Sequence, residues 1–176
     1  MRWWSLFCVM VARSMLSEEL ARKVERAESL SSKLMLELST KQRTEIAAHG
    51  ERDYPYECCG LLLGSFENES SKVCAELFPI SNAREETAKR NRFLIRPEEL
   101  LRGEQHATAK GLEVVGFYHS HPDHPAVPSA YDLEHAWPVY SYVVVAIKSG
   151  QAEALRSWEM QTDRTRFVEE EILKGN

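Results

Sequence analysis

The sequence predicts a mixed α/β (α+β) domain. Three observations carry this. Short apolar runs rich in β-branched residues recur along the chain, the strongest from Tyr140 to Ile147. Between them lie segments opened by helix-start chemistry at Ser39 and Pro97. The 176 residues, 43% apolar and 28% charged, have the length and balance of one folded domain. Lys plus Arg is 22 and Asp plus Glu 27, so the net charge is −5, which argues against general nucleic-acid binding. No apolar run approaches the ~20 residues of a membrane-spanning helix.

The elements follow in order. Trp3 to Ala12 matches a secretory apolar region in length, but only Arg2 precedes it and no clean small-residue cleavage site follows. Residues 1–33 are therefore read as a non-core extension. Within it Ser17, Glu18 and Glu19 open an amphipathic helix over 17–32, with Leu20, Val24, Ala27 and Leu30 on one stripe. That stripe permits a homodimer. The compact domain is expected over 34–176. Met35 to Leu38 reads as a strand. Ser39 and Gln42 form a capping box for a helix that Gly50 is expected to end.

Cys58 to Leu63 is a continuous apolar run bounded by Gly64, the pattern of a strand buried on both faces. Val73 to Ile80 is a further strand, Ser81 to Arg92 a polar loop, and Phe93 to Ile95 a short strand. Pro97, Glu98 and Glu99 open a helix that Gly111 closes. Val114 to Tyr118 is strand. Pro122, Pro125 and Pro128 stiffen the loop that follows. Ser129 caps a short helix to about Trp137, and strands at Tyr140–Ile147, Ala154–Glu159 and Phe167–Ile172 complete the domain. Cys8, Cys58, Cys59 and Cys74 show no C-x-x-C pair and read as thiols of a reducing, cytoplasmic compartment.

The chemistry lies between Glu57 and Asp132. His119 and His121 stand two apart, which on an extended segment puts both imidazoles on one face. Asp132 follows in the first turn of the next helix. Two histidines and one carboxylate make a three-ligand site with a fourth position open, the arrangement of catalytic zinc. Glu57, just before the buried strand, is the candidate proton acceptor. Each residue also has a plain reading: Ser129 as an N-cap, Asp132 as a charge at a helix start, Glu57 as a solvent-facing residue. Iron(II) also suits two histidines and a carboxylate. Glu57 and Ser129 fit hydrolysis better than oxygen chemistry.

The spacing H-x-H-P-x6-S-x-x-D, read at His119, His121, Pro122, Ser129 and Asp132, resembles the JAMM motif of the MPN+ metallopeptidases. Tyr56-Glu57-Cys58-Cys59-Gly60-Leu61-Leu62-Leu63-Gly64 resembles the family segment that carries the catalytic glutamate. The likeness covers about residues 34–172 and is strongest to the bacterial single-domain branch. It implies an MPN/JAMM-type, cytidine-deaminase-like fold, a central β-sheet flanked by helices. It implies one Zn2+ per chain on His119, His121 and Asp132, with Glu57 as general base and Ser129 donating to the oxyanion. The implied substrate is an amide bond at the C-terminal glycine of a ubiquitin-like or sulfur-carrier protein. The same fold occurs as a catalytically silent binding module, but such relatives lack metal ligands that are all present here. Arg84, Lys89, Arg90, Arg92 and Arg96 gather in one short stretch, read either as a solvated loop or as a docking patch for an acidic carrier.

Overall fold

Seven strands and three helices follow one another in the computed structural model, which describes residues 33–175. In order they are β1 (Met35–Ser39), α1 (Thr40–Asp53), β2 (Cys59–Asn68), β3 (Ser71–Ile80), α2 (Pro97–Ala109), β4 (Glu113–Pro122), α3 (Ala130–His135), β5 (Ser141–Lys148), β6 (Gln151–Met160) and β7 (Phe167–Gly175). Residues from Leu34 form one unit. The helix expected over 17–32 lies outside the described residues.

The sheet order is β1-β3-β2-β4-β5-β6-β7, and β1 pairs in parallel with β7 to close it. The expectation of a central sheet flanked by helices is corrected in this respect: the sheet closes on itself. Closure removes both edges, so every strand has two partners. The parallel pairs β1·β3 and β4·β5 need long crossovers, and α1 and the loop with α3 lie in them.

Alternation explains the strands that read as continuous apolar runs. In β5, Val143, Val145 and Ile147 join one core with Leu36, Leu38, Ile46 and Leu62. The intervening Tyr142, Val144 and Ala146 pack on the opposite face. In β2, Leu61 and Leu63 pack with Ala107 of α2 on the side opposite Leu62. Both faces are covered, so neither face can be polar.

Two glycines act by size, and neither ends its element. Gly50 lies inside α1, where a Cβ would meet Ile147 Cδ1 at 2.8 Å and Ser120 Cβ at 3.2 Å. Its local preference predicts a helix end, but Gly50 is a point of close packing between α1 and the sheet, and the helix runs on to Asp53. Gly60 faces Tyr118 across β2 and β4, and a Cβ there would lie 2.4 Å from the tyrosine ring. The space lets the Tyr118 hydroxyl reach His49 Nδ1 at 2.8 Å. Gly64 likewise does not end β2. It sits at a register shift against β3, and the strand continues to Asn68. Phe93–Ile95 is irregular rather than a strand: Leu94 N–H donates to the Asn82 side chain, not to a ladder.

One buried ionic cluster joins β3, β5, β6 and β7. Lys72, 1% exposed, contacts Glu159 and lies 2.9 Å from Glu170. Glu170 also accepts from Ser141 Oγ at 3.0 Å and Ser157 Oγ at 2.6 Å. Removing the single cation leaves two carboxylates facing each other out of water. Lys72→Met is expected to cost about 3–5 kcal/mol, read from urea unfolding. A cost near zero would show that the cluster does not depend on its cation.

Candidate metal centre

β4 carries both histidines because it continues past Tyr118. Gly116 pairs with Leu62 but Val114 pairs with Leu63, so Val115 is an extra residue, a β-bulge. Val115 packs with the Leu62 core, whereas Phe117, two residues on, packs on the other face. The bulge thereby sets Phe117, His119 and His121 on the outer face. Ser120 points the other way and is fully buried, its hydroxyl accepting from Cys58 N–H at 2.8 Å. That bond ties β4 to the residue after Glu57.

The loop after β4 returns the chain, and Ser129 caps α3. Ser129 Oγ accepts from Asp132 N–H at 3.2 Å, while Ser129 N–H and Oγ donate to Asp132 Oδ2 at 2.6 and 2.7 Å. This reciprocal box turns the Asp132 carboxylate toward β4. His119, His121 and Asp132 come together with ligand atoms within 4.8 Å of one another. His119 Nε2 and His121 Nε2 are 3.0 Å apart, and they lie 3.6 and 3.7 Å from Asp132 oxygens.

These separations fit one tetrahedral metal, whose bonds of about 2.0–2.1 Å set ligand atoms about 3.3–3.4 Å apart. His121 Nδ1–H donates to Pro125 O at 2.9 Å, which leaves its Nε2 lone pair free to ligate. Pairing of His119 Nε2 and His121 Nε2 across 3.0 Å is natural around a shared cation. Phe93 stacks on the His119 ring at 4.7 Å and holds its plane, while His119 Nδ1 is buried without a hydrogen-bond partner.

Electrostatics separate the roles. Burial raises the Glu57 carboxyl from 4.5 to about 8, with Asp132 adding to the rise and His121 and Arg92 opposing it. Burial also works against ionising Asp132, but hydrogen bonds from His121 and Ser129 and the His119 charge prevail and hold it well below the usual range. Burial pushes His119 down to about 4. Burial lowers His121 too, yet its bonds to Asp132 and Pro125 bring it out raised. Glu57 is only 5% exposed, so it is not a solvent-facing strand-edge residue. Burial raises the Cys58 thiol to about 12 and also raises Cys59, so neither is a thiolate nucleophile at neutral pH.

Sequence reasoning missed the residues that hold this constellation. Asn82 is the main one. Its Nδ2 donates to Glu57 O at 2.9 Å and Arg92 O at 3.0 Å, and its Oδ1 accepts from Arg84 N–H and Leu94 N–H. Glu57 N–H donates to Lys89 O at 2.8 Å. The loop over 81–96 is thus stitched to the backbone of Glu57. The Phe93 ring against His119 and the Pro125 carbonyl on His121 were also missed. A loop asparagine and a proline carbonyl carry no spacing pattern, so nothing in the sequence marked them.

The closed sheet thus carries a His-His-Asp group that could hold a metal. Residues 39–161 match the family of prokaryotic homologs of the JAB domain, and the chain belongs to that family. The Haloferax volcanii protein named desampylase is 35% identical over 114 residues, 62% of this chain and 78% of that protein. The desampylase of Pyrococcus furiosus is 38% identical over 90 residues, 50% of this chain and 59% of that one. A probable TtuB-protein conjugate cleaving protease of Thermus thermophilus is 34% identical over 101 residues, 57% and 62% of the two chains. The matched stretch thus spans less than two thirds of the latter two proteins. A solution structure from Desulfitobacterium hafniense is 29% identical, covers 80% of this chain and 93% of its own, and superposes with a TM-score of 0.69. One from Salinibacter ruber is 36% identical with a TM-score of 0.62, covering 81% and 92%. The chain is a hydrolase of the JAMM type.

Proposed function

We propose that the protein is a zinc-dependent isopeptidase or peptidase. Its substrate is an amide bond at the C-terminal glycine of a ubiquitin-like or sulfur-carrier protein. The convergence of His119, His121 and Asp132 supports this most directly. The names of the relatives support the substrate class: two are desampylases and one cleaves TtuB-protein conjugates. Zinc held by the two imidazoles and Asp132 would polarise the scissile carbonyl and bring the pKa of a water to about 7.

The chain's own groups then divide the work. Glu57 takes a proton from the attacking water and passes it to the departing nitrogen as the carbon–nitrogen bond breaks. A carboxylate can take up and return the same proton, which is what both steps need. The Ser129 hydroxyl, which donates to Asp132 Oδ2 in this structure, turns to donate to the oxygen that gains charge, while its backbone N–H continues to hold Asp132.

The two Ser129 donors make the role testable. Ser129→Ala is expected to lower kcat by about 10²–10³ with metal content unchanged, because the backbone bond to Asp132 survives. If metal content falls together with kcat, the hydroxyl serves to hold Asp132 instead. Cys58, Cys59 and Cys74 are free thiols, which supports a reducing, cytoplasmic setting. Among the described residues no helix is long and apolar enough to cross a membrane.

A further inference from the structure

One residue before Asp132 stands a tyrosine that the mechanism does not use. Two arginines converge on it. Arg84 Nη2 donates to the Tyr131 hydroxyl, and its guanidinium carbon lies 5.5 Å from the ring centroid. The Arg92 guanidinium lies 4.5 Å from the same centroid. The five basic residues of this loop therefore do not act as one patch. Lys89 pairs with Glu86 at 2.6 Å and Arg90 and Arg96 face solvent, while Arg84 and Arg92 are half-buried beside the metal centre.

Their position is fixed through the backbone. The Asn82 side chain bonds to Arg84 N–H, Arg92 O and Glu57 O, so one carboxamide couples both arginines to the glutamate. Arg92 is near enough for its charge to act on Glu57. Among the described residues neither guanidinium has a carboxylate partner, and Arg84 Nε is buried without any hydrogen-bond partner. Two cations gathered on one tyrosine with no carboxylate within ion-pair distance, one with an unfilled buried donor, are costly to hold. A carboxylate is the group that matches the planar guanidinium fork.

We propose that Arg84 and Arg92, seated on Tyr131, bind a carboxylate of the substrate next to the scissile amide. This deepens the amide-hydrolase reading and rests on it. The adjoining cavity of about 290 Å³ shares Tyr131 and Asp132 and adds Phe93, Phe117 and Trp137. It gives apolar walls to the residue that carries the carboxylate. Two sources share this chemistry: the α-carboxylate of a departing amino acid, and an acidic side chain in the carrier tail.

Three synthetic tail peptides separate them. The first ends Gly-Gly-Leu with a free carboxylate. The second is the same peptide as the C-terminal amide. The third is that amide with a glutamate two residues before Gly-Gly. kcat/KM is measured for the wild type, Arg84→Gln, Arg92→Gln and Arg84→Lys. Binding of the same peptides to zinc-loaded Glu57→Gln, alone and combined with each arginine change, is followed by calorimetry and needs no turnover.

The expected result is a preference of about 10- to 100-fold for the first peptide over the second, carried in KM and Kd. Either glutamine change should bring that ratio toward one, and Arg84→Lys should restore only part of it. A preference for the third peptide that the same changes erase also supports the cluster and assigns the carboxylate to the tail. Equal binding of all three peptides by the wild-type arginine pair overturns the proposal. So does a ratio that neither change moves. Ratios within one variant are insensitive to a fraction of misfolded protein. Binding preference without cleavage of any peptide would sink the hydrolase reading and leave the carboxylate site standing.

Discussion

Glu57→Gln is expected to retain one zinc per chain and to lose turnover by at least about 10³-fold. Glutamine keeps the size and the buried position but can neither accept nor return a proton. Metal content and single-turnover hydrolysis of a Gly-Gly-linked substrate check this. Full activity in the variant would remove Glu57 from the mechanism. A stability effect should accompany it in metal-stripped protein. The Glu57 carboxyl is raised from 4.5 to about 8 in the fold, so the native state holds an extra proton between those values. Stability then falls as pH rises through that window, because the unfolded chain ionises first. Glutamine lacks this slope, so the variant should be the more stable form at pH 9 and lose that advantage below pH 4.5. Urea unfolding of chelator-treated protein across this range reads it directly.

Asp132→Ala and His119→Ala should lose metal and activity together. Near-stoichiometric zinc in the freshly purified wild type, by mass spectrometry, is expected to fall to background in both variants. Added zinc should raise the Tm of the chelator-treated wild type and leave that of the variants unmoved, since only bound ligand stabilises the native state. Asp132→Ala also removes the acceptor for Ser129 N–H and should cost about 1 kcal/mol through the lost helix cap. Asp132→Asn keeps an acceptor there and separates the two effects. Iron in place of zinc would return oxygen chemistry to consideration. Variants that still bind zinc at wild-type stoichiometry would place the site elsewhere.

The grouping of His119, His121 and Asp132 was legible because each piece is local. His119 and His121 share a face by the two-residue period of a strand, and Ser129 and Asp132 share one by the helical turn. Helix starts at Ser39 and Pro97 were legible for the same reason, since caps act within four residues. The misreadings share one cause. Local preference marks Gly50 and Gly64 as stops, whereas packing against Ile147 and Val73 decides their place. Phe93 to Ile95 has strand-like composition, but Asn82 takes its backbone N–H and His119 takes the Phe93 ring.

The sequence by itself determined the set of chemical groups, the order of most elements and the two-faced burial of β2. Only the tertiary structure decided that the sheet closes through β1 and β7, that Val115 bulges, and that Glu57 is buried where the charges of His121 and Asp132 act on it. The bulge turns the histidine face outward, toward the cluster with Asp132. Asn82 then joins Glu57 to loop residues up to twelve positions downstream of itself. Local propensity acts over one turn or one pleat. Closure, register and loop docking depend on contacts between residues far apart in the chain, whose energies exist only once the core has formed.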